Sequence, residues 1–551
     1  MFKDRATRER VQATGIYALL LLGAVVFCWP LLWMVFTSVK LDRELFARKM
    51  HLLPETPVAR AVSPYVDENS FRDLEGDSAA DLLPVLEAEI RPQAKTLDPN
   101  LDPDVLTQQL ARGVYQHMTD TMTDAQWQQP VEALRTLARQ AATPVLLGKI
   151  MDQIRHSLII GQLRARSYDL QEDQLISPKN ETQVWRMQQG VKAELVPTAD
   201  GQGAEFRYEY GDNDMVSMEA DLQTSFPISR LYRIQLSVRP DESWNRLSAF
   251  VEMDGQRLEP VRPQVLSDSN WTVYTWQEEG PDDLTNKIRS WTLLQPAEDV
   301  ESPVKGAHNI KVILQLQRTT PFGAWIEKFQ RNYLMVFDNM PFWRYAATSV
   351  LLVLANMVGA LISCSMVAYS FSRLQWPGRN LSFAIMLGTM MIPTQVTMIP
   401  FFLIVKSLGW FNTLTPLWVM SFTANAFNVF LMHQFFKGIP RDLEDAAKID
   451  GCGPLRSYWY IMLPLVKPTL ATVAVFTFMG VWNDFLGPLI YLSDQRLYPL
   501  SLGLYALNVQ SGGGMAMMMA GSLLMTMPVI LVFFFAQRYF IQGITMTGMK
   551  G

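Results

Sequence analysis

Cysteine is scarce in this sequence, since its 551 residues contain three, Cys28, Cys364 and Cys452. None of them lies in the stretch 41–340, which therefore cannot be held together by disulfides and needs a core of its own. No group of cysteine and histidine residues has the spacing of a metal site. The sequence predicts neither a disulfide scaffold nor a metal centre.

Charged residues are scarce towards the C-terminus. Residues 341–551 contain 12 Lys/Arg and 6 Asp/Glu, which is sparse for a soluble fold. Residues 41–340 contain 31 Lys/Arg and 45 Asp/Glu, a net charge of −14, whereas the whole chain has a formal net charge of −5. This contrast excludes a single soluble globule and an intrinsically disordered chain. No basic stripe large enough to bind nucleic acid is present, so nucleic acid is not an expected partner.

Signatures of enzymes are also missing. No G-x-x-x-x-G-K-[ST] sequence occurs, and Gly148-Lys149-Ile150 lacks the hydroxyl residue. No carboxylate pair or nucleophile constellation is specific enough to indicate catalysis. We therefore expect a chain that is not an enzyme, has no catalytic residues and binds no cofactor itself.

Six apolar stretches are long enough to cross a bilayer. Residues 16–36 form a run of 21 without a charge, which at about 1.5 Å per residue spans a hydrocarbon core of about 30 Å. We interpret this run as a signal anchor and not as a cleaved signal peptide, because it is long and no A-x-A-like site follows it. The other stretches are 345–371, 381–405, 414–435, 468–492 and 515–536. Six transmembrane helices are predicted, the first at 16–36 and five within 341–551.

The distribution of positive charge predicts the orientation. With the N-terminal residues 1–15 in the cytoplasm, three basic residues lie in short outer segments: Arg344, Lys406 and Arg496. Thirteen lie on the cytoplasmic side: Lys3, Arg5, Arg8, Arg10, Arg373, Arg379, Lys437, Arg441, Lys448, Arg456, Lys467, Arg538 and Lys550. Both termini are therefore expected in the cytoplasm, and the block 41–340 is expected outside, between the first and second spans.

The block 41–340 divides into two parts by pattern. Between about 78 and 170, apolar residues recur at spacings of three and four, which predicts helices. Between about 185 and 320, short runs alternate between polar and apolar residues, as in 232–238 and 311–316, which predicts antiparallel strands packed as a β-sandwich. Trp244, Trp271 and Trp276 either fill the core of that sandwich, which is the favoured interpretation, or offer faces on which a sugar stacks.

The most informative stretch is the polar loop 436–467, which is expected on the cytoplasmic side. It reads E-D-A-A-K-I-D-G at 444–451 and I-M-L-P at 461–464. Neighbouring positions of a short helix are occupied by Leu443, Ala446, Ala447 and Asp450, and the two alanines leave a small flat face for another protein. Gly451 can end this helix in a left-handed conformation.

This loop resembles the coupling motif of ABC importer permeases, which is E-A-A, three residues, G, nine residues and I-x-L-P. The matching positions are Asp445, Ala446, Ala447, Gly451, Ile461, Leu463 and Pro464. Asp445 stands where the family usually has Glu, and Glu444 precedes it, so the resemblance leaves open which carboxylate makes the family's contact. Residues 1–55 and 330–551 resemble the maltose-type permeases of carbohydrate ABC importers more widely, and the block between them resembles an insertion that typical members lack.

The resemblance implies a transporter assembly and a cellular location. It implies the six-helix type I ABC importer permease fold in a bacterial inner membrane, here with an added α+β extracytoplasmic domain. The implied partners are a second permease subunit, two ABC ATPase subunits that bind ATP and Mg, an extracytoplasmic solute-binding protein and the lipid bilayer. The residues implied to couple to the ATPases are Glu444, Asp445, Ala446, Ala447, Asp450, Gly451, Ile461, Leu463 and Pro464, with Lys550 and Gly551 as a tail that reaches the ATPase interface.

Polar residues within the predicted spans are costly in lipid and should face protein or a water-filled path. Interhelical hydrogen bonds explain them as well as a transport path does. The candidate path residues are Gln395, Asn425, Asn428, Asn483 and Asp484. Asn356 and His433 are further polar residues within the predicted spans.

An alternative function is a membrane-anchored extracytoplasmic receptor or sensor that does not transport. The insertion is expected to serve as a docking platform.

Overall fold

The computed structural model describes residues 2–46, 51–71, 74, 78–169, 172–176, 185–187, 192–198, 201, 203–278, 288–510 and 514–545. The chain divides into two compact units. The bundle unit comprises Met1–Glu55, Asp282–Ser290 and Phe329–Gly551, and the insert unit comprises Thr56–Pro281 and Trp291–Lys328.

The α-helices are α1 (Phe2–Thr37), α2 (Asp42–Leu45), α3 (Ala79–Leu97), α4 (Pro103–Thr121), α5 (Asp124–Trp127), α6 (Val131–Ala141), α7 (Pro144–Ile154), α8 (Pro321–Asn339), α9 (Phe342–Arg373), α10 (Arg379–Thr389), α11 (Thr394–Ser407), α12 (Thr415–Val419), α13 (Ala426–Gly438), α14 (Asp442–Ile449), α15 (Pro454–Ser457), α16 (Leu463–Leu465), α17 (Lys467–Trp482), α18 (Leu486–Tyr491), α19 (Leu500–Gln510) and α20 (Met515–Thr545). A π-helical turn, Tyr458–Met462, joins α15 to α16.

The strands are β1 (Val62–Ser63), β2 (Tyr65–Val66), β3 (Arg155–His156), β4 (Leu158–Ser167), β5 (Gln174–Leu175), β6 (Trp185–Met187), β7 (Lys192–Pro197), β8 (Ala204–Glu209), β9 (Met215–Gln223), β10 (Leu231–Arg239), β11 (Arg246–Met253), β12 (Gln256–Pro260), β13 (Gln264–Val265), β14 (Thr272–Gln277), β15 (Thr292–Glu301) and β16 (Asn309–Gln317).

Within the described ranges, three helical segments are long and apolar enough to cross a membrane: Ala13–Thr37, Phe342–Arg373 and Met515–Gln537. Two bent pairs of helices reach the same length and hydropathy together. They are Arg379–Thr389 with Thr394–Ser407, bent by 98°, and Pro454–Leu465 with Lys467–Trp482, bent by 79°. The stretches 381–405, 414–435 and 468–492 are not single continuous helices, because α10 and α11, α12 and α13, and α17 and α18 divide them. The six spans stay a prediction.

Each of these breaks has a local cause in the sequence. Pro393, which lacks an N–H, precedes α11 in an extended conformation. Ala424 has a φ of 63° and ends the 3₁₀ turn after α12, and Asn425 then caps α13. Asn483 ends α17, and the Asp484 Oδ1 accepts a hydrogen bond from Gly487 N at 3.1 Å as α18 begins. Hydropathy alone does not reveal such breaks, because the residues around them are apolar.

The bundle unit has two apolar clusters. One includes Tyr345, Trp482 and Leu507, and the other includes Cys364 and Met432. In the first, α19 approaches α9 through Gly503, where a Cβ would lie 2.2 Å from the ring of Tyr345. A glycine is required there, because any side chain would displace the ring that the cluster packs around.

The segment after α1 is bonded to two later helices of the bundle unit, α8 and α20. Asn332 Nδ2 donates to the carbonyl oxygens of Ser38 and Lys40, both at 2.8 Å. Asp42 Oδ1 accepts from Ala516 N at 2.8 Å and so caps α20. Two parts of the bundle that lie almost 300 residues apart in sequence, at 38 and 332, are thus joined by hydrogen bonds.

In the insert unit, the predicted helical part exists but is shorter than expected. Helices α3, α4, α6 and α7 bury one apolar cluster around residues such as Leu86, Leu110 and Tyr115. Helix α7 ends at Ile154, and 158–167 is the strand β4, so the predicted helical extent to about 170 is wrong. The apolar residues of β4 include β-branched Ile159 and Ile160, and they suit pairing with β10 better than a helix face.

Eleven of the described strands form one hydrogen-bonded path in the order β1-β8-β4-β10-β14-β15-β12-β11-β16-β9-β6. Strands β5, β7 and β13 pair with β4, β8 and β11 beside this path, and β2 pairs with β3 in a separate two-stranded sheet. All described pairs are antiparallel except β14 with β15, which is parallel. Registers such as Ile234 opposite Trp276 and Ala249 opposite Leu314 place buried residues side by side. Trp276 and Trp244 are 0% and 2% exposed, so both are buried, and Trp276 belongs to the apolar cluster of the strands, whereas Trp271 is 42% exposed.

Asn245 brings together the points where the chain enters and leaves the insert unit. Its Nδ2 donates to Arg60 O at 3.0 Å, and its Oδ1 accepts from Thr319 N at 3.1 Å. Asn245 Nδ2 also lies 3.1 Å from Tyr208 Oη, and that hydroxyl donates to the buried Asp241 at 2.7 Å. A domain whose two ends are adjacent can be inserted into a host chain without separating the host's own segments.

A chain of ion pairs connects the helices of the insert unit to its strands. Arg155 Nε lies 2.8 Å from Asp98 Oδ2, and Arg155 Nη1 lies 2.6 Å from Glu205 Oε1. Glu205 Oε2 in turn lies 2.9 Å from Arg207 Nε. Burial raises the pKa of Glu205, but the hydrogen bonds and charges of Arg155 and Arg207 outweigh it, so the pKa is lowered overall.

We expect Glu205→Gln to lower the thermal unfolding temperature of the insert unit at pH 7, with a loss of about 2 kcal/mol, because Arg155 and Arg207 lose a charged acceptor. A lowered pKa stabilises the fold above the ordinary carboxyl value of about 4.3, and this stabilisation disappears as the pH falls through the folded-state value. The difference from wild type should therefore shrink below about pH 4.

The matched control is Glu194→Gln, because Glu194 pairs with the same Arg207 but is 63% exposed. It should have little effect at either pH. The measurement is thermal unfolding of the detergent-solubilised full chain. A Glu205→Gln difference of the same size at pH 7 and pH 3 would contradict the assigned role of the ion pairs.

Candidate coupling loop and transport path

The motif residues 442–449 form the helix α14. Its first turn contains Asp442, Glu444 and Asp445, and its last turn contains Lys448, which places each charge at the favourable end of the helix dipole. After α14, Gly451 has a φ of 77°. Its N–H donates to Lys448 O at 3.0 Å.

Two backbone hydrogen bonds together define the end of α14. The second runs from Cys452 N to Ala447 O at 2.8 Å, so the pair forms a Schellman motif around Gly451. The expectation that Gly451 ends the helix in a left-handed conformation is confirmed. This stop fixes the length of the helix and turns the chain towards α15.

A buried ion pair holds α14 against the bundle. Arg373 Nη1, at the end of α9, lies 3.4 Å from Glu444 Oε2, and their side chains are 4% and 11% exposed. Arg373 Nη2 also donates to Ile439 O at 2.6 Å and to Phe436 O. One guanidinium therefore contacts the end of α13, the start of the loop and the motif helix.

The two candidate carboxylates of the motif have different environments. Glu444 is engaged inside the chain by Arg373, whereas Asp445 is 63% exposed and lies 3.0 Å from Lys448 Nζ. Of the two, Asp445 is the carboxylate that remains accessible to another protein.

The two alanines do not form one flat face. Ala447 is 4% exposed and packs inward, while Ala446 faces solvent. The expectation of a shared alanine face is therefore wrong, because Glu444 and Ala447 lie on the side of α14 that its ion pair turns inward. The outward side consists of Leu443, Ala446, Ile449 and Asp450, and we call it the candidate coupling face, or coupling face for short.

The second half of the motif continues the exposed surface and then returns to the bundle. Leu455 and Tyr460 are 68% and 77% exposed, but Tyr458 is buried and its hydroxyl lies 2.6 Å from Ser365 Oγ. Ile461 and Leu463 are half-buried against the cluster that contains Cys364 and Met432, and Pro464 is exposed. Lys550 and Gly551 of the predicted tail lie outside the described residues.

The candidate path residues have separate local roles. Asn425 Oδ1 accepts from Phe427 N at 3.0 Å and from Asn428 N at 3.3 Å, so it caps α13. Asp484 caps α18 in the same way, and Asn483 Nδ2 donates back to Met479 O at 2.9 Å.

Asn425, Asn483 and Asp484 therefore mark two of the three points where a predicted span is broken, the third being at Pro393. Gln395 is exposed in the first turn of α11, and Asn428 is half-buried in α13. By contrast, Asn356 is 7% exposed and its Nδ2 donates to Leu352 O and Leu417 O, at 2.8 and 3.0 Å. Asn356 joins α9 to α12, which is a structural role.

Sequence reasoning missed Arg373, Asn332 and Asp42 as organising residues. The sequence pattern marks Arg373 only as one of thirteen basic residues expected on the cytoplasmic side. The available signal is its position at the end of a long apolar stretch, where a charge with no nearby opposite charge in sequence needs a distant partner. Its partner Glu444 lies 71 residues further along the chain.

The chain belongs to the family described as binding-protein-dependent transport system inner membrane component, whose profile matches residues 355–546. It is thus a multi-pass permease subunit of an ABC importer in the inner membrane and not an enzyme, because ATP hydrolysis in these systems is on separate subunits.

Two curated relatives illustrate the match. The chain is 35% identical over 221 residues to the arabinooligosaccharides transport system permease protein AraQ of Halalkalibacterium halodurans, covering 40% of this chain and 79% of that protein. It is 30% identical over 236 residues to the maltodextrin transport system permease protein MdxG of Bacillus subtilis, covering 42% and 82%. Among solved structures, a bacterial ABC transporter involved in the import of the acidic polysaccharide alginate is 28% identical, with 38% of this chain and 79% of that chain covered and a TM-score of 0.34.

We expect Gly451→Ala to loosen α14, because alanine is strained at a φ of 77° by about 1 kcal/mol. Gly453→Ala is the matched control, since Gly453 has a φ of −72° and neither glycine has a heavy atom within 4 Å of the added Cβ. Hydrogen exchange of the amides at 442–450 in the full chain should become about fivefold faster in Gly451→Ala. Equal exchange in the two variants would contradict the role of Gly451.

Proposed function

We propose that this chain is one permease subunit of an importer that moves a carbohydrate across the bacterial inner membrane. It forms the path with a second permease subunit, and two cytoplasmic ATPase subunits bind ATP and Mg and drive the cycle. An extracytoplasmic solute-binding protein delivers the substrate. Carbohydrate is the proposed substrate class because the relatives are named for the transport of arabinooligosaccharides and maltodextrin.

The observation that carries the proposal is the geometry of α14. Its inward side is held by the buried pair of Glu444 and Arg373, while its coupling face presents Leu443, Ala446 and Ile449 to solvent. An exposed apolar strip beside a small alanine is suited to a groove on another protein. We assign this groove to an ATPase subunit, with Asp445 as the accessible carboxylate.

Force applied to α14 reaches the bundle through two routes. Arg373 links α14 to the end of α9, and the segment Ile461 to Pro464 leads directly into α17. Closure of the ATPases would therefore displace α9 and α17 together, which rocks the bundle between inward-facing and outward-facing states. The tail residues Lys550 and Gly551 are proposed to reach the same interface.

The membrane arrangement we propose has six spans. They are α1, α9, α10 with α11, α12 with α13, α17 with α18, and α20. Each of the three interrupted stretches thus crosses the membrane once. Three of the spans are continuous apolar helices, and thirteen basic residues against three favour both termini in the cytoplasm. Irregular backbone at membrane depth is tolerated where it lines a cavity, which supports Asn425, Asn483 and Asp484 as path residues along with Gln395 and Asn428.

For the block 41–340 we propose an extracytoplasmic position and a docking role for the solute-binding protein or the partner permease. Its strands are proposed to pack as a β-sandwich. Support for the sandwich comes from the shared core, in which Leu236 and Trp276 of β10 and β14 belong to the same cluster as Val251 and Leu314 of β11 and β16. Alternating burial along these strands gives each a single core face.

Ala446→Trp tests the coupling assignment. A bulky indole at the coupling face should prevent co-purification of the ATPase subunits and abolish ATP-dependent uptake, because Ala446 is exposed and the groove must accept its side chain. Val145→Trp, at a position 73% exposed on α7 of the insert unit, is the control and should assemble normally. Normal assembly and uptake by Ala446→Trp would refute the proposed contact.

A further inference from the structure

The strands β4, β10 and β14 present one face away from the core of the insert unit. Ile234, Leu236 and Val238 of β10 are completely buried, so the alternate residues of this strand point to the opposite side. The register places Gln235 between Arg164 of β4 and Thr275 of β14. The outer face, as we call it, consists of Gln162, Arg164, Arg233, Gln235, Ser237, Arg239, Trp271, Val273 and Thr275.

Trp271 lies on the outer face over a glycine. A Cβ at Gly161 would be 3.0 Å from Trp271 Cζ3 and 3.1 Å from the Cβ of Ser237, so the indole occupies space that a side chain at 161 would need. The indole is nevertheless 42% exposed, and the adjacent Val273 is 55% exposed. A large aromatic surface is thus supported from below by bare backbone and left open above.

The loop before Trp271 is fixed by its own hydrogen bonds. Asp268 Oδ1 accepts from Ser269 N at 2.7 Å and from Asn270 Nδ2 at 3.2 Å. Arg239 Nε donates to Ser269 O at 3.2 Å and so attaches the loop to β10. A rigid, exposed aromatic side chain loses little conformational entropy when a ligand stacks on it.

The outer face is positively charged within an acidic block. Arg164 donates to Gln162 Oε1 at 3.2 Å, Arg233 donates to Gln277 Oε1 at 2.9 Å, and Arg239 donates to a carbonyl oxygen, so these acceptors are neutral. The carboxylate of Asp268, in the loop before Trp271, accepts from donors of its own loop.

In the part of the chain that the structure describes, the acidic residues of the nearby strand β8 pair with other basic residues. On β8, Glu205 pairs with Arg155 and Arg207, and Glu209 lies 3.0 Å from Lys192 Nζ. The block 41–340 nevertheless carries 45 acidic and 31 basic residues, so a cluster of arginines with neutral partners attracts anions against the charge of the whole.

We propose that the outer face binds an oligosaccharide that carries carboxylates. The indole of Trp271 offers a stacking surface for a sugar ring, the guanidinium of Arg164 pairs with a carboxylate, and the amide of Gln235 bonds to hydroxyls. The inference extends the proposed carbohydrate import function, but binding at this face requires neither ATPase subunits nor transport. The two can therefore fail separately.

The test is calorimetric titration of the detergent-solubilised full chain with tetragalacturonate and with its fully methyl-esterified form. We expect the acidic form to bind about tenfold more tightly than the neutral ester, and Trp271→Ala and Arg164→Gln each to weaken its binding about tenfold. Val145→Ala, at an exposed helix position, and Arg186→Gln, at an arginine 73% exposed on β6, are the controls and should bind as wild type does.

Gly161→Ala provides a second route to the same answer. This substitution keeps the tryptophan at 271 but displaces its indole, because the new Cβ takes up the space beneath the ring. It should weaken binding, while the thermal unfolding temperature of the insert unit stays within a few degrees of wild type. Equal binding of acid and ester would overturn the assignment to acidic saccharides. Absence of binding by wild type, or unchanged binding by a folded Trp271→Ala, would overturn the site. Ala446→Trp should leave this binding unchanged, which separates the site from coupling.

Discussion

The buried guanidinium of Arg373 is the contact on which the position of α14 depends. It reaches Glu444 on α14 and the carbonyl oxygens of Ile439 and Phe436, so one side chain at the end of α9 organises the whole start of the loop. Breaking a buried ion pair by removing one partner costs about 3–5 kcal/mol, because the other charge is left uncompensated. The helix α14 is therefore attached firmly to the bundle on one side, while Leu443, Ala446 and Ile449 on its other side are exposed.

A few side-chain hydrogen bonds likewise explain how a large block interrupts the permease sequence without dividing its structure. In the bundle unit, Asn332 and Asp42 bond the segment after α1 to the helices α8 and α20, so both sides of the interruption remain one structure. In the insert unit, Asn245 bonds the backbone at Arg60 and at Thr319, so the chain leaves beside the point where it entered. Each unit is closed by its own hydrogen bonds, and neither needs a disulfide.

The family, the long apolar helices and the left-handed conformation of Gly451 could be predicted from the sequence, because they depend on composition and local conformation. The helix breaks at Ala424 and Asp484 could not be predicted, since a capping side chain in an apolar stretch resembles a path residue until its backbone partners are known. The sequence pattern placed β4 in a helix, because an apolar run with few turn signals fits both structures. The different environments of Glu444 and Asp445 depend on Arg373, which lies 71 residues before Glu444. No local sequence pattern reveals this contact.

The most direct measurement is a double-mutant cycle of Arg373→Met and Glu444→Gln in the reconstituted transporter, with the number of substrate molecules imported per ATP hydrolysed as the readout. If the pair transmits force, each single variant should hydrolyse ATP with little import, and the double variant should be no worse than either one, because the two residues act as a unit. Import per ATP that stays at the wild-type value in both single variants, or losses that add in the double variant, would contradict the account.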